Sequence, residues 1–186
     1  KKLGLAEFID VFCEDSVFTL EDTKKIVEAA KKLGYFVRLH ADEIHPMGGL
    51  GLAVELGASS ADHLIAASDE DIKKLANSKT VANLLPSTSF FLNKEYANAR
   101  KMIDEGCIVS ISSDYNPGSS PSENLQFSMQ LACNKMKWRP KEVLNAVTIN
   151  AAYGIGLKEK IGTIAKGKAA DIVIMNAPNL DYIITP

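Results

Sequence analysis

At 186 residues, 46% hydrophobic and 24% charged, the sequence has the make-up of one ordinary globular domain able to bury a core. Its 21 basic and 23 acidic residues are interspersed and sum to a net charge of -2, which excludes the basic footprint of a nucleic-acid or anionic-membrane binder and leaves a small molecule as the expected partner. Apolar runs such as Ile172-Val173-Ile174-Met175 are far too short for a membrane span, and Lys1-Lys2-Leu3-Gly4 opens no secretory apolar segment.

Residues 8–13 read as a strand and residues 20–33 as a helix, with Ile26, Val27, Ala29, Ala30 and Leu33 at helical spacing and Gly34 closing it. Residues 35–40 read as a strand, 49–56 as a helix ended by Gly57, and 59–63 as a short strand. Ser68 caps a helix over 68–77, with Glu70 and Asp71 in its first turn. A strand at 81–85, a helix at 93–105 stopped by Gly106, a strand at 108–112 and a helix at 122–135 follow. The strands start roughly 22 to 27 residues apart, which is the period of a βα unit. No Gly-x-Gly-x-x-Gly or Walker-type loop follows any of them, so a (β/α) barrel is preferred to a nucleotide fold. Five such strands do not close an eight-stranded barrel; with a first residue that is not Met, the chain is expected to be a piece of something larger. A further helix spans 140–150, and the Gly162–Met175 region then changes to turn, short strand, turn and buried apolar strand. Cys13, Cys107 and Cys133 are odd in number and form no Cys-x-x-Cys pair, as expected of reduced thiols in a cytoplasmic protein.

The chemistry gathers at strand ends. His40-Ala41-Asp42-Glu43, Ala61-Asp62-His63 and Ser113-Asp114-Tyr115-Asn116-Pro117-Gly118 each follow an apolar or small-residue run. In a parallel sheet the carboxyl ends of the strands share one side, so these side chains are expected to line one pocket. A neutral imidazole at a strand tip, His40, suits zinc or iron, and Glu43 three residues on is placed to move a proton. Asp42 is expected to cap the loop. His63 either ligates or acts as an oxyanion stabiliser, while His45, before Pro46 in a Gly-rich loop, reads as exposed and without a special role. Asp114 can bind metal and accept the proton of attacking water, and the Asn116-Pro117-Gly118-Ser119 turn suits a polar ligand. Two histidines and two carboxylates so arranged describe a metal-dependent hydrolase with an incomplete ligand set.

The stretches Asp10-Val11-Phe12-Cys13-Glu14, His40-Ala41-Asp42-Glu43, Glu55-Leu56-Gly57-Ala58, Ser60-Ala61-Asp62-His63-Leu64, Leu84-Leu85-Pro86, Ser113 to Gly118 and Gly162 to Val173, in that order, resemble the amidohydrolase superfamily over nearly the whole chain. The resemblance implies an α/β fold: part of a TIM-type (β/α)8 barrel over residues 1–155, and part of a small composite β-sandwich domain over 156–186. Within the superfamily it points to the enzymes of histidine degradation that open the cyclic amide of 4-imidazolone-5-propanoate with water, giving N-formimidoyl-L-glutamate. It implies one Zn2+ or Fe3+ ion with His40 and Asp114 as ligands, the family's His-x-His pair being absent from this sequence. Glu43, His63 and Asp114 would be catalytic, and Glu43, Asn116, Gly118 and Ser119 would touch the substrate. As it stands the polypeptide is expected to lack full activity, and a homodimer is left open. Two rivals remain at this point: a purine or pyrimidine deaminase of the same superfamily, which the Asn-Pro-Gly turn disfavours, and a non-catalytic barrel fragment.

Overall fold

The computed structural model describes residues 3–184. Lys1, Lys2, Thr185 and Pro186, at the outer ends of the two expected domains, lie outside the described residues. The chain forms two compact units: residues 3–83 with Lys101–Ile108, and Leu84–Arg100 with residues 109–184. These units do not follow the division at residue 155, which is carried below as a proposal.

The first unit alternates strand and helix as the sequence predicts: β1 (Phe8–Cys13), α1 (Leu20–Lys32), β2 (Phe36–Ala41), α2 (Gly49–Glu55), β3 (Ser60–His63), α3 (Asp69–Ala76) and β4 (Val81–Leu84), whose last residue passes to the second unit. Helix α1 starts where Thr19 accepts the Asp22 N–H at 3.1 Å, with Glu21 and Asp22 against its positive end and Lys31 and Lys32 at the other. Ser68 caps α3 in the same way, through the Asp71 N–H. The strands pair in parallel, with Phe12 opposite His40 and His40 opposite Asp62. This register sorts the side chains. Val11, Cys13, Val37, Leu39, Ala41 and Ala61 are buried on the side that α1 and α2 cover, with Val27, Ala30, Leu50 and Ala53. The opposite face carries Asp10, Phe12, Arg38, His40, Ser60 and Asp62, so the sheet is apolar toward its helices and polar on the other side. At the far edge of this unit the Ala82 N–H donates to the Ile108 carbonyl.

The second unit holds α4 (Pro86–Phe91), β5 (Val109–Ile111), α6 (Leu125–Met136), α7 (Pro140–Val147), α8 (Ile149–Gly154) and α9 (Asp181–Ile184). Helix α5 (Ala99–Asp104) begins in this unit and continues in the first. The Ser112 N–H, just past β5, donates to the Leu84 carbonyl. Several expectations change here. The helix predicted over 93–105 is only α5, because Asn93 sits at φ +51° after α4, a helix whose Pro86 start went unread. The helix expected from Ser122 begins at Leu125, where Asn124 caps it through the Phe127 N–H. The expected 140–150 helix breaks at Thr148, whose φ of -122° and ψ of -91° separate α7 from α8. Residues 162–175 contain no strand: Ile164 is 89% and Ile174 94% exposed, where a buried apolar strand was expected. Apolar β-branched residues mark a strand only when a neighbouring edge takes their backbone N–H and C=O groups, and among the described residues none does so here. Among the described residues no helix is long and apolar enough to cross a membrane.

Candidate active site

The polar face of the first unit brings three of the predicted residues together. His40 Nδ1 lies 2.9 and 3.1 Å from the two carboxylate oxygens of Asp10. A ring that donates Nδ1–H to a carboxylate carries its lone pair on Nε2, the tautomer a metal ligand needs. The hydrogen bond to Asp10 raises the His40 pKa above its ordinary value against the opposing effect of burial. The Phe12 ring sits edge-on at 5.5 Å from the His40 ring, and the His63 ring lies 5.1 Å away on the β3 side. His63 is only 4% exposed, and its Nε2 stands 3.6 Å from Oε2 of the largely buried Glu43.

Simple alternation along β3 does not predict this meeting, because Ala61 and His63 share the parity of Ala41 and belong to the helix-covered side. A backbone reversal at His63 accounts for it. His63 at φ +73° turns its Cβ across the strand toward His40, and Leu64 follows at +59°. Asp42 at φ +47° does the opposite, moving from the polar face into the helix side. There the 1%-exposed Asp42 carboxylate accepts the N–H groups of Met47, Gly48 and Gly49 through Oδ1 and of Leu50 through Oδ2, at 2.8 to 3.0 Å. The loop cap expected of Asp42 is thus present, and it serves the start of α2. Left-handed backbone at residues other than glycine costs on the order of 1 kcal/mol or more each, and such sites cluster where side chains are aimed for function.

Below His40 the same face carries a network that sequence reading missed. Arg38 donates Nε–H to Ser60 Oγ at 3.0 Å, Ser60 donates its hydroxyl to Asp62 Oδ1 at 2.8 Å, and Asn83 donates an amide N–H to Asp62 Oδ2 at 3.1 Å. Burial raises the Asp62 pKa, partly offset by Arg38, Ser60 and Asn83. The i, i+2 spacing of Arg38 and His40, and of Ser60 and Asp62, was the available signal, but only the strand register pairs them.

The loop carrying Glu43 is also held from β1. Glu14, 1% exposed, accepts the Ile44 N–H at 2.9 Å, the Asp15 N–H at 2.9 Å and the His45 N–H at 3.2 Å, and lies 3.0 Å from His45 Nδ1. Burial alone would raise its pKa, yet these donors together bring it below the ordinary glutamate value. His45, read as exposed and without a role, is half-exposed as expected but holds this carboxylate. That corrects the sequence reading.

The remaining predicted residues lie in the second unit. Asp114, at φ +53°, accepts the Thr88 hydroxyl on Oδ2 at 2.5 Å. Thr88 is a buried residue of α4, the helix sequence reading overlooked. Asn116 closes its own turn. Its amide nitrogen donates to the Asp114 carbonyl and to Ser119 Oγ, and its amide oxygen accepts the Gly118 and Ser119 N–H groups, at 2.7 to 2.9 Å. The Ser120 hydroxyl donates to the Ser113 carbonyl. Asn116, Gly118 and Ser119 are therefore brought together with Asp114, with their polar groups turned on one another.

Among the described residues no three His, Cys, Asp or Glu side chains gather into a set able to hold a metal. The donor chemistry of each predicted ligand still fits zinc or iron: an imidazole with Nε2 as its lone-pair nitrogen in His40, and a carboxylate steadied at one oxygen in Asp114. The three cysteines are free thiols. Burial raises all three pKa values, that of Cys107 to about 11, which keeps its sulfur an unreactive thiol at neutral pH.

The chain is similar to known proteins along nearly its whole length. The imidazolonepropionase of Treponema denticola is 56% identical over 185 residues, covering 99% of this chain and 45% of that protein. The imidazolonepropionase of Fusobacterium nucleatum is 52% identical over 184 residues, again 99% of this chain and 45% of that protein. The chain thus spans about half the length of the curated relatives it matches. Among solved structures, an adenosine deaminase from Xanthomonas campestris with bound zinc superposes with a TM-score of 0.70 at 18% identity, over 89% of this chain and 42% of that one. A mutant atrazine chlorohydrolase from Arthrobacter aurescens, complexed with zinc and atraton, gives 0.72 at 18% identity, over 95% and 46%. At that identity the likeness is one of fold, and it agrees with the parallel sheet and its covering helices. The model of the amidohydrolase family matches residues 13–185, from the end of β1 through every strand-end residue described above, and the chain belongs to that family.

Proposed function

We propose that this chain is the C-terminal part of an imidazolonepropionase, a metal-dependent hydrolase that opens the cyclic amide of 4-imidazolone-5-propanoate to N-formimidoyl-L-glutamate. The observation that carries the reading is the meeting of His40, Glu43 and His63 at adjoining strand ends, in a chain 52 to 56% identical to relatives of that name. Residues 1–155 would be the C-terminal part of the barrel. Residues 156–186 would be part of a small β domain whose strands form against another segment. The protein would work in the cytoplasm, with its thiols reduced, on a small-molecule substrate.

One zinc or iron ion, held in part by His40 through Nε2 and by Asp114, would supply Lewis-acid activation of water and of the ring carbonyl. The chain's own residues do the rest. Asp10 orients His40. Asp114 takes the proton of the attacking water, with Thr88 holding its other oxygen. His63 donates a hydrogen bond to the oxyanion that forms at the ring carbon, and its burial makes that bond stronger than it would be in water. Glu43, beside His63, contacts the ring and relays to the leaving nitrogen a proton that comes from the attacking water. Asn116, Gly118 and Ser119 present a turn already closed by its own hydrogen bonds, so little ordering is needed when the substrate contacts it.

The test is to express the full reading frame, measure its zinc and iron, and follow loss of 4-imidazolone-5-propanoate absorbance beside ammonia release from guanine and cytosine. Loss of absorbance without ammonia is expected. Ammonia from a nucleobase would transfer the site to deamination, and neither signal in a metal-loaded protein would leave a packing role.

A further inference from the structure

We propose that Glu14 is a positioning residue, whose buried carboxylate braces the loop after β2 so that Glu43 stays against His63. The inference rests on the function proposed for Glu43. A glutamate with 1% exposure at the end of a strand is costly to bury unless donors surround it. Here it collects the backbone N–H groups of Ile44 and His45, its neighbour Asp15 and the His45 ring. Its own backbone is fixed as well: the Glu14 N–H donates to the Phe18 carbonyl, and the Val17 N–H to the Glu14 carbonyl. The loop of residues 42–48 therefore has two carboxylate anchors. Asp42 gathers Met47, Gly48, Gly49 and Leu50, the residues that open α2, and so has a helix to stabilise. Glu14 has no such duty. Ile44 and His45 belong to no helix or strand, so the product of its hydrogen bonds is the shape of the segment immediately following Glu43.

In the mechanism above, Glu43 must reach both the ring and His63, and a displacement of about 1 Å at such a group is enough to lower turnover severely. Glu14→Gln keeps the size of the side chain, removes its charge and turns an amide N–H toward N–H donors. Glu14→Asp keeps the charge on a stem one methylene shorter.

The experiment uses the full-length protein, wild type and with Glu14→Gln, Glu14→Asp and His45→Ala, and reads steady-state kinetics, bound metal, thermal midpoint and amide hydrogen exchange. For Glu14→Gln we expect kcat to fall about tenfold or more, the equivalent of one charged hydrogen bond, with little change in KM. Exchange at Ile44 and His45 should quicken by about the same factor while the Met47 to Leu50 amides and the metal content stay as in wild type. Glu14→Asp should recover part of kcat, and His45→Ala should produce a smaller change of the same kind. Unchanged kcat and unchanged Ile44 and His45 exchange would overturn the proposal. So would a uniform loss in which thermal midpoint, metal and every loop amide decline together, since that marks a merely structural residue. If Glu14→Gln does not fold, Glu14→Asp and His45→Ala carry the same comparison. A wild-type enzyme that leaves 4-imidazolone-5-propanoate untouched would sink the functional reading instead, and the exchange rates would still decide whether Glu14 braces this loop.

Discussion

His40, in β2, and Glu43, in the loop just after it, both meet His63 of β3, whereas Asp114, Asn116, Gly118 and Ser119 follow one another in a single turn and spend their polar atoms mainly inside it. Both regions follow a strand, and both contain left-handed residues that are not glycine, His63 at +73° and Asp114 at +53°. In the first unit the reversal carries a side chain across a strand to meet partners from elsewhere. In the second, the Asn116 side chain closes a local loop three residues long. Similar residue types after a strand therefore do two things, bringing side chains of different segments together and building a rigid turn, and hydrogen-bond partners distinguish the two better than residue identity does.

Substitutions can break that contrast or sharpen it. The largest effect is expected from Glu43→Gln in the full-length protein, where loss of the proton carrier should lower kcat by about 10² to 10⁴ with the thermal midpoint nearly unmoved. A comparable fall in stability would mean that Glu43 belongs with the structural carboxylates. Asp42→Ala, one residue away, should show the reverse character, since it strands the four N–H groups at the start of α2. Chemical denaturation should report a loss of about 3 kcal/mol. Asn116→Ala removes the donor and acceptor that close the turn in the second unit and should cost about 1 kcal/mol by the same measurement, with activity falling less than for Glu43→Gln. Should activity collapse without any loss of stability, the turn would serve substrate contact alone and not rigidity, and the contrast would fail. The smallest effect is a pH dependence. The Glu14 pKa is lower folded than unfolded, so its contribution is present above the unfolded value, about 4.3, and is lost as pH falls through the folded value. Denaturation curves from pH 7 to 3 should show that acid loss in wild type and less of it in Glu14→Gln.

The alternation of strands and helices was readable because its signals are local: the caps at Ser68 and Gly34, the apolar spacing of α1, and the short apolar runs of β2 and β4. His40, Glu43, His63 and Asp114 were readable as strand-end groups for the same reason. Their partners were not. Asp10 meets His40 because β1 and β2 pair with Phe12 opposite His40, and Thr88 meets Asp114 through a helix whose Leu85-Pro86 start resembles a loop. Register and helix placement are products of the folded sheet, and no spacing within either segment encodes them. Residues 172–175 show the converse, since an apolar run rich in β-branched residues meets the local criteria for a strand but has no described edge to pair with. The pairing of Glu14 with the loop at His45 was not readable because a buried carboxylate that receives backbone N–H groups from a remote loop looks, in sequence, like any charged residue after a strand.

The central claim is that Glu43 and His63 work as one unit on the substrate. The measurement that reaches it most directly is a double-mutant cycle on kcat/KM for 4-imidazolone-5-propanoate in the full-length, metal-loaded protein, with Glu43→Gln, His63→Asn and both together. Groups that act in the same step lose far less on the second substitution than on the first, so the double variant should fall close to the worse single variant. Losses that simply multiply would show the two residues acting independently, and would contradict the account.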